Sequence, residues 1–255
     1  GFMRGKFLDG SWRTPFDPVS AQHRINDYCE GNAWQYLWLV PQDPEGLIDL
    51  LGGDKPFIKK LDRLFSMSSE LEEGSSMDIT GLIGQYAHGN EPSHHTTYMY
   101  AYAGAQYKIP ENVRYIIDKL YTDKPNGLTG NEDCGQMSSW YILSSLGFYP
   151  VNPSNGAYVF GSPVFDNAKI ELGNNKSFTI KTINNSQKNI YIQSVELNGV
   201  DYKNAYITHK DIIKGGENEF KMGPNPNKDF GNENIYRPKS KLYSITILKN
   251  TEFHN

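Results

Sequence analysis

Three short polar strings in the first 150 residues hold the side chains best suited to chemistry. They are Tyr28-Cys29-Glu30-Gly31-Asn32-Ala33-Trp34-Gln35-Tyr36, then His88-Gly89-Asn90-Glu91-Pro92-Ser93-His94-His95, then Gly130-Asn131-Glu132-Asp133-Cys134-Gly135-Gln136-Met137-Ser138. Each falls in a glycine-containing turn beside an expected helix. A carboxylate in such a turn can be a helix cap and nothing more, because side-chain acceptors satisfy the free amides of a first turn. A cap needs no company, however, and here acid, amide and aromatic residues return together three times. If the loops converge, carboxylates from two of them can flank a glycosidic bond. One must be held protonated to donate to the leaving oxygen, while the other stays ionised to activate water or attack carbon. Glu30, close in sequence to Trp34 and Tyr36, has the more apolar neighbourhood and suits the acid. Asp133, among Asn131, Glu132 and Gln136, has the polar neighbourhood of a base.

The middle string suggests a metal, since amide and carboxylate oxygens such as those of Asn90 and Glu91 favour hard cations like calcium. Its histidines raise zinc as an alternative, but His94 and His95 are adjacent, and no HExxH spacing occurs. A structural turn without metal is the plain competitor. The two cysteines, Cys29 and Cys134, are too few for a disulfide framework and lie in no CxxC pair. They are expected to be buried thiols.

Composition narrows the partners. A net charge of -4 leaves no basic surplus for phosphates, which argues against nucleic acid and anionic membranes. No apolar run of about 18 residues is present to span a bilayer, and the first residues lack the apolar stretch of a signal peptide. The 17 Tyr, 12 Phe and 4 Trp offer flat faces with polar handles, which suit sugar rings or a helical core equally well.

The elements that must position the three strings change character near Pro150. Before it, Phe57, Leu61, Leu64 and Phe65 mark one amphipathic helix opened by Pro56, and Val113, Ile116, Ile117 and Leu120 another opened by Pro110. A third spans residues 135–146 and stops at Gly147 and Pro150; two more are expected over 30–40 and 93–107. After Pro150 the period becomes two, around Phe178 and Ile180, from Tyr191 to Leu197 and from Leu242 to Leu248, with Asn198-Gly199 as a hairpin turn. Residues 223–240 read as a long loop. Helices first and strands second predict an α + β chain of two units, residues 1–150 helical and 151–255 β-rich.

The strings Glu30-Gly-Asn-Ala-Trp-Gln-Tyr, Asn90-Glu-Pro-Ser-His-His and Gly130-Asn-Glu-Asp-Cys-Gly-Gln-Met-Ser, followed by Trp140-Tyr and Gly147-Phe-Tyr-Pro, resemble glycoside hydrolase family 92 in order and context. The resemblance continues through residues 158–165 and Leu197-Asn198-Gly199, nearly the whole chain. It implies a calcium-dependent exo-α-mannosidase that removes terminal mannose with inversion, here from an α-1,2 linkage, with Glu30 as acid and Asp133 as base. Asn131, where some members carry aspartate, joins the catalytic group. Asn90, Glu91 and Gln85 are the implied calcium neighbourhood, and Trp34, Glu132, His94 and His95 the implied substrate contacts. The fold implied is the second half of an (α/α)6 barrel followed by β-strands. Members are far longer than 255 residues, so the chain resembles a fragment whose N-terminal β-sandwich and first barrel half belong to the same polypeptide. Such a fragment is expected to be catalytically inactive alone and to expose its apolar stripes, Phe57, Leu61 and Phe65 or Val113, Ile117 and Leu120. The resemblance also implies a bacterial, extracytoplasmic (periplasmic or secreted) setting. Two rivals remain: a non-catalytic carbohydrate-binding or structural unit built on the strands, and another inverting (α/α)6 glycosidase.

Overall fold

The computed structural model describes residues 1–22 and 24–240. Its first helix, α1 (Ala33–Tyr36), is short at both ends for local reasons. Asn32 closes a capping box with Gln35, Glu30 two residues earlier is left-handed (φ 55°), and Pro41 bars helix at Val40. The 30–40 expectation therefore shrinks to one turn. Helix α2 (Pro44–Leu50) went unread in the sequence although it carries a cap signal, Asp43 accepting from Gly46 N at 3.0 Å with Pro44 at the first helical position. Helix α3 (Asp54–Ser66) buries Phe57, Leu61 and Leu64 as its spacing predicts.

A two-residue hairpin, β1 (Leu82–Ile83) and β2 (Tyr86–Ala87), leads into the middle polar string. The helix expected over 93–107 is instead a 3-10 segment, Thr96–Ala103, ending at left-handed Gly104. All eight of its residues are buried, so packing on every side overrides the weak helical preference of its threonines and tyrosines. It occupies the centre of the helical core. Helices α3 and α4 (Ile109–Leu120) pack on it, and of the stripes expected to lie open Phe57, Leu61 and Val113 are fully buried, Ile117 nearly so, and Phe65 and Leu120 partly. Helix α5 (Gln136–Leu146) runs between left-handed Gly135 and Gly147.

Beyond α5 the elements among the described residues are mostly strands. β3 (Phe148–Tyr149), β4 (Ala157–Phe160) and β9 (Tyr206–Thr208) form one antiparallel sheet. β5 (Asn167–Gly173), β6 (Lys176–Ile183), β7 (Tyr191–Leu197), β8 (Val200–Asp201) and β10 (Gly216–Gly223) form the other, in the order β5-β6-β10-β7-β8. Helix α6 (His209–Lys214) precedes β10, which lies parallel to β6 and antiparallel to β7. Asn198 and Gly199, both at positive φ, turn β7 into β8. Of the loop expected over 223–240, Gly223 closes β10 and residues 224–240 carry no strand, only a 3-10 turn at Asn234–Tyr236; the strand expected over 242–248 lies outside the described residues.

Two large apolar clusters result among the described residues, with a small third one around Ala21, Ile79 and Ala87. One gathers the helices around Trp38, Phe57, Tyr98 and Trp140; the other gathers the strands around Phe160, Phe178, Ile192 and Phe220, and Leu143 of α5 packs on both. Polar ties join the halves. Arg114 of α4 donates to Ser162 Oγ (2.9 Å), Asn185 Oδ1 (2.6 Å) and the Pro163 carbonyl. Arg237 reaches Asp54 (2.8 Å), and Ser240 Oγ reaches Asp43 (2.9 Å). Removing a partly buried, charged donor strands its acceptors. Arg114→Ala should therefore lower unfolding free energy by about 1.5–3 kcal/mol in denaturant titrations; an unchanged midpoint would show that the halves do not depend on this tie.

Candidate active site

The three polar strings converge. The middle and last meet where main chain passes main chain: a Cβ on Gly130 would lie 2.1 Å from the Gly89 carbonyl oxygen, and one on Gly89 would lie 1.9 Å from Thr80 Oγ1 and 2.9 Å from the Thr129 carbonyl oxygen, so both positions require glycine. On the other side, Asn90 Nδ2 donates to the Glu30 carbonyl at 3.1 Å. Glu91, the next residue, lies within electrostatic reach of Asp133, Glu30 and Asp78. Burial, reinforced by those anions, raises its carboxyl above the usual range, and its Oε1 is buried without a hydrogen-bond partner.

Two adjoining cavities mark the meeting place. A small one of about 40 Å³ is lined by Glu30, Gln35, Tyr36, Asn90 and Ser93, and a larger cleft of about 320 Å³ by Glu91, His94, His95, Gln136 and Tyr149; Leu39 and Pro92 line both. Glu30 and Asp133 are exposed at the ends of their loops. Each sits at or beside a left-handed non-glycine residue, Glu30 itself and Cys134 (φ 55° for both), at a cost of roughly 1–2 kcal/mol apiece. Both cysteines are free and exposed, not buried, because they share these projecting loops.

Beneath the carboxylates lies an uncharged aromatic floor. Tyr121 Oη donates to the Met137 carbonyl (3.1 Å) and so accepts from His88 Nε2 (2.8 Å), leaving His88 Nδ1 to accept from Tyr86 Oη (2.8 Å). His94 stacks on His88, centroids 4.7 Å apart, and donates Nε2 to the His88 carbonyl at 3.0 Å. Trp140 donates to the His94 carbonyl (3.0 Å), and His95 donates Nε2 to that of Trp38 (2.6 Å). With Nε2 committed, each cleft histidine keeps Nδ1 as an acceptor, and Gln136 Nε2 stands 3.5 Å from that of His94. Burial depresses all three imidazoles, His94 to about 4.

Other expected contacts have different partners. Gln85 is buried, accepting from Asn32 Nδ2 (2.7 Å) and donating to the Ser68 carbonyl (2.6 Å), so its amide ties α1 to the chain after α3. Trp34 meets Phe2 edge-on at 5.1 Å with Lys60 Nζ 4.9 Å from its ring, and lines neither cavity. Both Glu132 oxygens accept from Ser138, and Asn131 is exposed beside Gly130. Residues that sequence reasoning did not single out are Gln35, whose buried Nε2 lacks a partner, together with Asp78, Gln136 and Tyr149. Gln35, Gln136 and Tyr149 stand inside the quoted strings; Asp78 had no signal of its own.

Residues 1–224 match the glycosyl hydrolase family 92 catalytic domain. The chain belongs to that family of glycoside hydrolases. Among solved structures it is similar to a family 92 α-mannosidase of Bacteroides thetaiotaomicron in complex with mannoimidazole, at 38% identity and a TM-score of 0.87 over 96% of this chain and 34% of that one. A family 92 inverting mannosidase of the same organism matches at 36% identity and TM-score 0.80, covering 94% and 33%. Among curated proteins, an uncharacterized secreted glycosidase of Arthroderma benhamiae is 29% identical over 236 residues, 88% of this chain and 28% of that protein. The chain thus spans about a third of the length of these relatives. No helix among the described residues is long and apolar enough to cross a membrane.

The neutral floor makes stability depend on pH. An unfolded histidine protonates near 6.5, whereas folded His94 resists until about 4, so between these values the unfolded chain binds more protons. Stability is then full above the unfolded value and is lost as pH falls, by about 3 kcal/mol for His94 alone. Denaturant midpoints should drop steadily from pH 7 to 4.5, and less steeply in His94→Gln; a midpoint constant over that range would contradict a neutral buried floor.

Proposed function

We propose that the intact protein containing this chain is an exo-acting α-mannosidase that hydrolyses terminal mannose with inversion. The observation that carries the reading is that Glu30 and Asp133, from two separate loops, both lie within electrostatic reach of Glu91 on a third, whose neighbour Pro92 lines both cavities. Glu30 delivers a proton to the glycosidic oxygen as the bond to the anomeric carbon breaks. Asp133 takes a proton from water attacking the opposite face, with Asn131 beside it on the same loop. Inversion requires the two carboxyl groups to stand roughly 6.5–9.5 Å apart, with water between. Family membership supports this, and so do the α-mannosidase and inverting mannosidase among the similar structures. The cleft acceptors of His94 and His95 suit sugar hydroxyls.

The residues fit a hard cation. Glu91 offers an unpartnered buried oxygen among carboxylates that repel one another, and Asn90 keeps its amide oxygen after donating to Glu30. Calcium held by Asn90 and Glu91 would offset that repulsion and grip vicinal sugar hydroxyls, favouring ring distortion. Gln85, with its amide committed, serves that site by holding α1 in place.

An α-1,2 linkage and an extracytoplasmic, bacterial setting complete the proposal, the setting supported by the secreted relative and the two bacterial ones. We take the helices to be the second half of an (α/α)6 barrel, residues 151–255 to be a β-rich unit, and the remainder of the enzyme to precede this chain.

In the intact protein, Glu30→Gln should cut turnover of an unactivated mannoside by at least about 100-fold and spare an activated aryl mannoside, whose leaving group needs little protonation. Normal turnover on both would refute Glu30 as acid. Chelation by EDTA should abolish activity and added calcium restore it; full activity after chelation would remove the cation from the scheme.

A further inference from the structure

We propose that Glu132 is a positioning residue for Asp133, clamping the turn that presents the base rather than touching sugar. The inference rests on the reading of Asp133 given above. Among the described residues no hydrogen bond holds the Asp133 carboxylate, so its place is set by its main chain. That main chain makes a tight reversal. Cys134 (φ 55°) and Gly135 (φ 79°) are consecutively left-handed, and Gly135 N and Gln136 N both donate to the Glu132 carbonyl, at 2.8 and 3.1 Å. An L residue in this region is strained, so Cys134 stays there only if the surrounding turn is over-determined.

The Glu132 side chain supplies that constraint. Its Oε1 accepts from Ser138 N at 3.0 Å and its Oε2 from Ser138 Oγ at 2.6 Å, bridging the turn from the residue before Asp133 to the first coil of α5. The two bonds, the hydroxyl first, hold this carboxyl below the ordinary range, so it stays an ionised acceptor. Ser138 in turn lines a groove with Tyr121, Tyr141 and Ile142, a different hollow from the cleft of Glu91 and His95. Both ends of the loop are thereby fixed. Gly130 is pinned against Gly89 upstream, and downstream the clamp joins α5, where Met137 is fully buried and bonded to Tyr121. Asp133 projects from the short span between.

The test uses the intact protein with Glu132→Ala, Glu132→Gln, Ser138→Ala, the double variant Glu132→Ala/Ser138→Ala, and Asp133→Asn as reference. Misplacing a catalytic group by about 1 Å costs on the order of 100-fold in rate. Glu132→Ala should lower kcat by about 10- to 100-fold with KM within about twofold, and speed amide exchange across residues 133–136. Glu132→Gln, which keeps an acceptor for Ser138 N, should recover most of that rate. Ser138→Ala should lose less, and the double variant no more than Glu132→Ala, because both remove one contact. A tenfold rise in KM at unchanged kcat would make Glu132 a substrate contact and overturn the proposal. So would additive losses, a glutamine variant as slow as the alanine one, or unchanged exchange. An active Asp133→Asn would instead fell the assignment of the base and this inference with it, whereas an inactive Asp133→Asn beside a fully active Glu132→Ala fells this inference alone.

Discussion

The crossing of Gly89 and Gly130 is the contact on which the rest of the site depends. Two main chains can run this close only where neither bears a Cβ. Their approach sets Asn90 and Glu91, immediately after one glycine, beside Asn131 to Asp133, immediately after the other. The Asn90 amide then reaches the Glu30 carbonyl and draws in the third loop. Carboxylates distant in sequence thus stand together although their like charges oppose it, and the Glu91 carboxyl, raised first by burial, is raised further by those neighbours. The left-handed residues at Glu30 and Cys134 are part of the same bargain, since the folded frame must outweigh both.

The floor explains how such a mouth can be supported. Three aromatic side chains, Tyr86, Tyr121 and Trp140, and three imidazoles lie beneath it, and the histidines are fastened by main-chain carbonyls or tyrosine hydroxyls rather than by acids. A carboxylate partner would have favoured charged imidazolium; carbonyl partners and burial keep the rings neutral. The floor therefore supplies shape and directed acceptors while net charge stays with the loops above. Such a division suits a polyhydroxylated, uncharged substrate bound over a cluster of anions.

Much of this was legible in sequence where local rules decide. Apolar spacing marked α3 and α4, glycines bounded α5, and Asn198-Gly199 turned β7 into β8. The 96–103 segment was not legible as 3-10, because its conformation follows from burial on every side, which no period encodes. The parallel pairing of β6 with β10 was hidden for a related reason, since it joins strands more than thirty residues apart. At the site, recurrence of acid, amide and aromatic residues pointed to the loops that meet. Individual roles were harder to read wherever the partner is remote. Gln85 has the chemistry of a ligand but is claimed by Asn32, and Trp34 that of a sugar platform but is claimed by Phe2 and Lys60. Glu132 has the chemistry of a substrate contact, while both its oxygens accept from Ser138.

In the proposed reaction Glu30 and Asp133 face one anomeric carbon from opposite sides with water between them. The stereochemistry of the first-formed product reads that arrangement directly, because a single displacement inverts the anomeric centre and a double one retains it. Proton NMR of an α-mannoside digested by the intact protein, recorded before mutarotation, should show β-mannose appearing first. α-Mannose as the initial product would contradict the account.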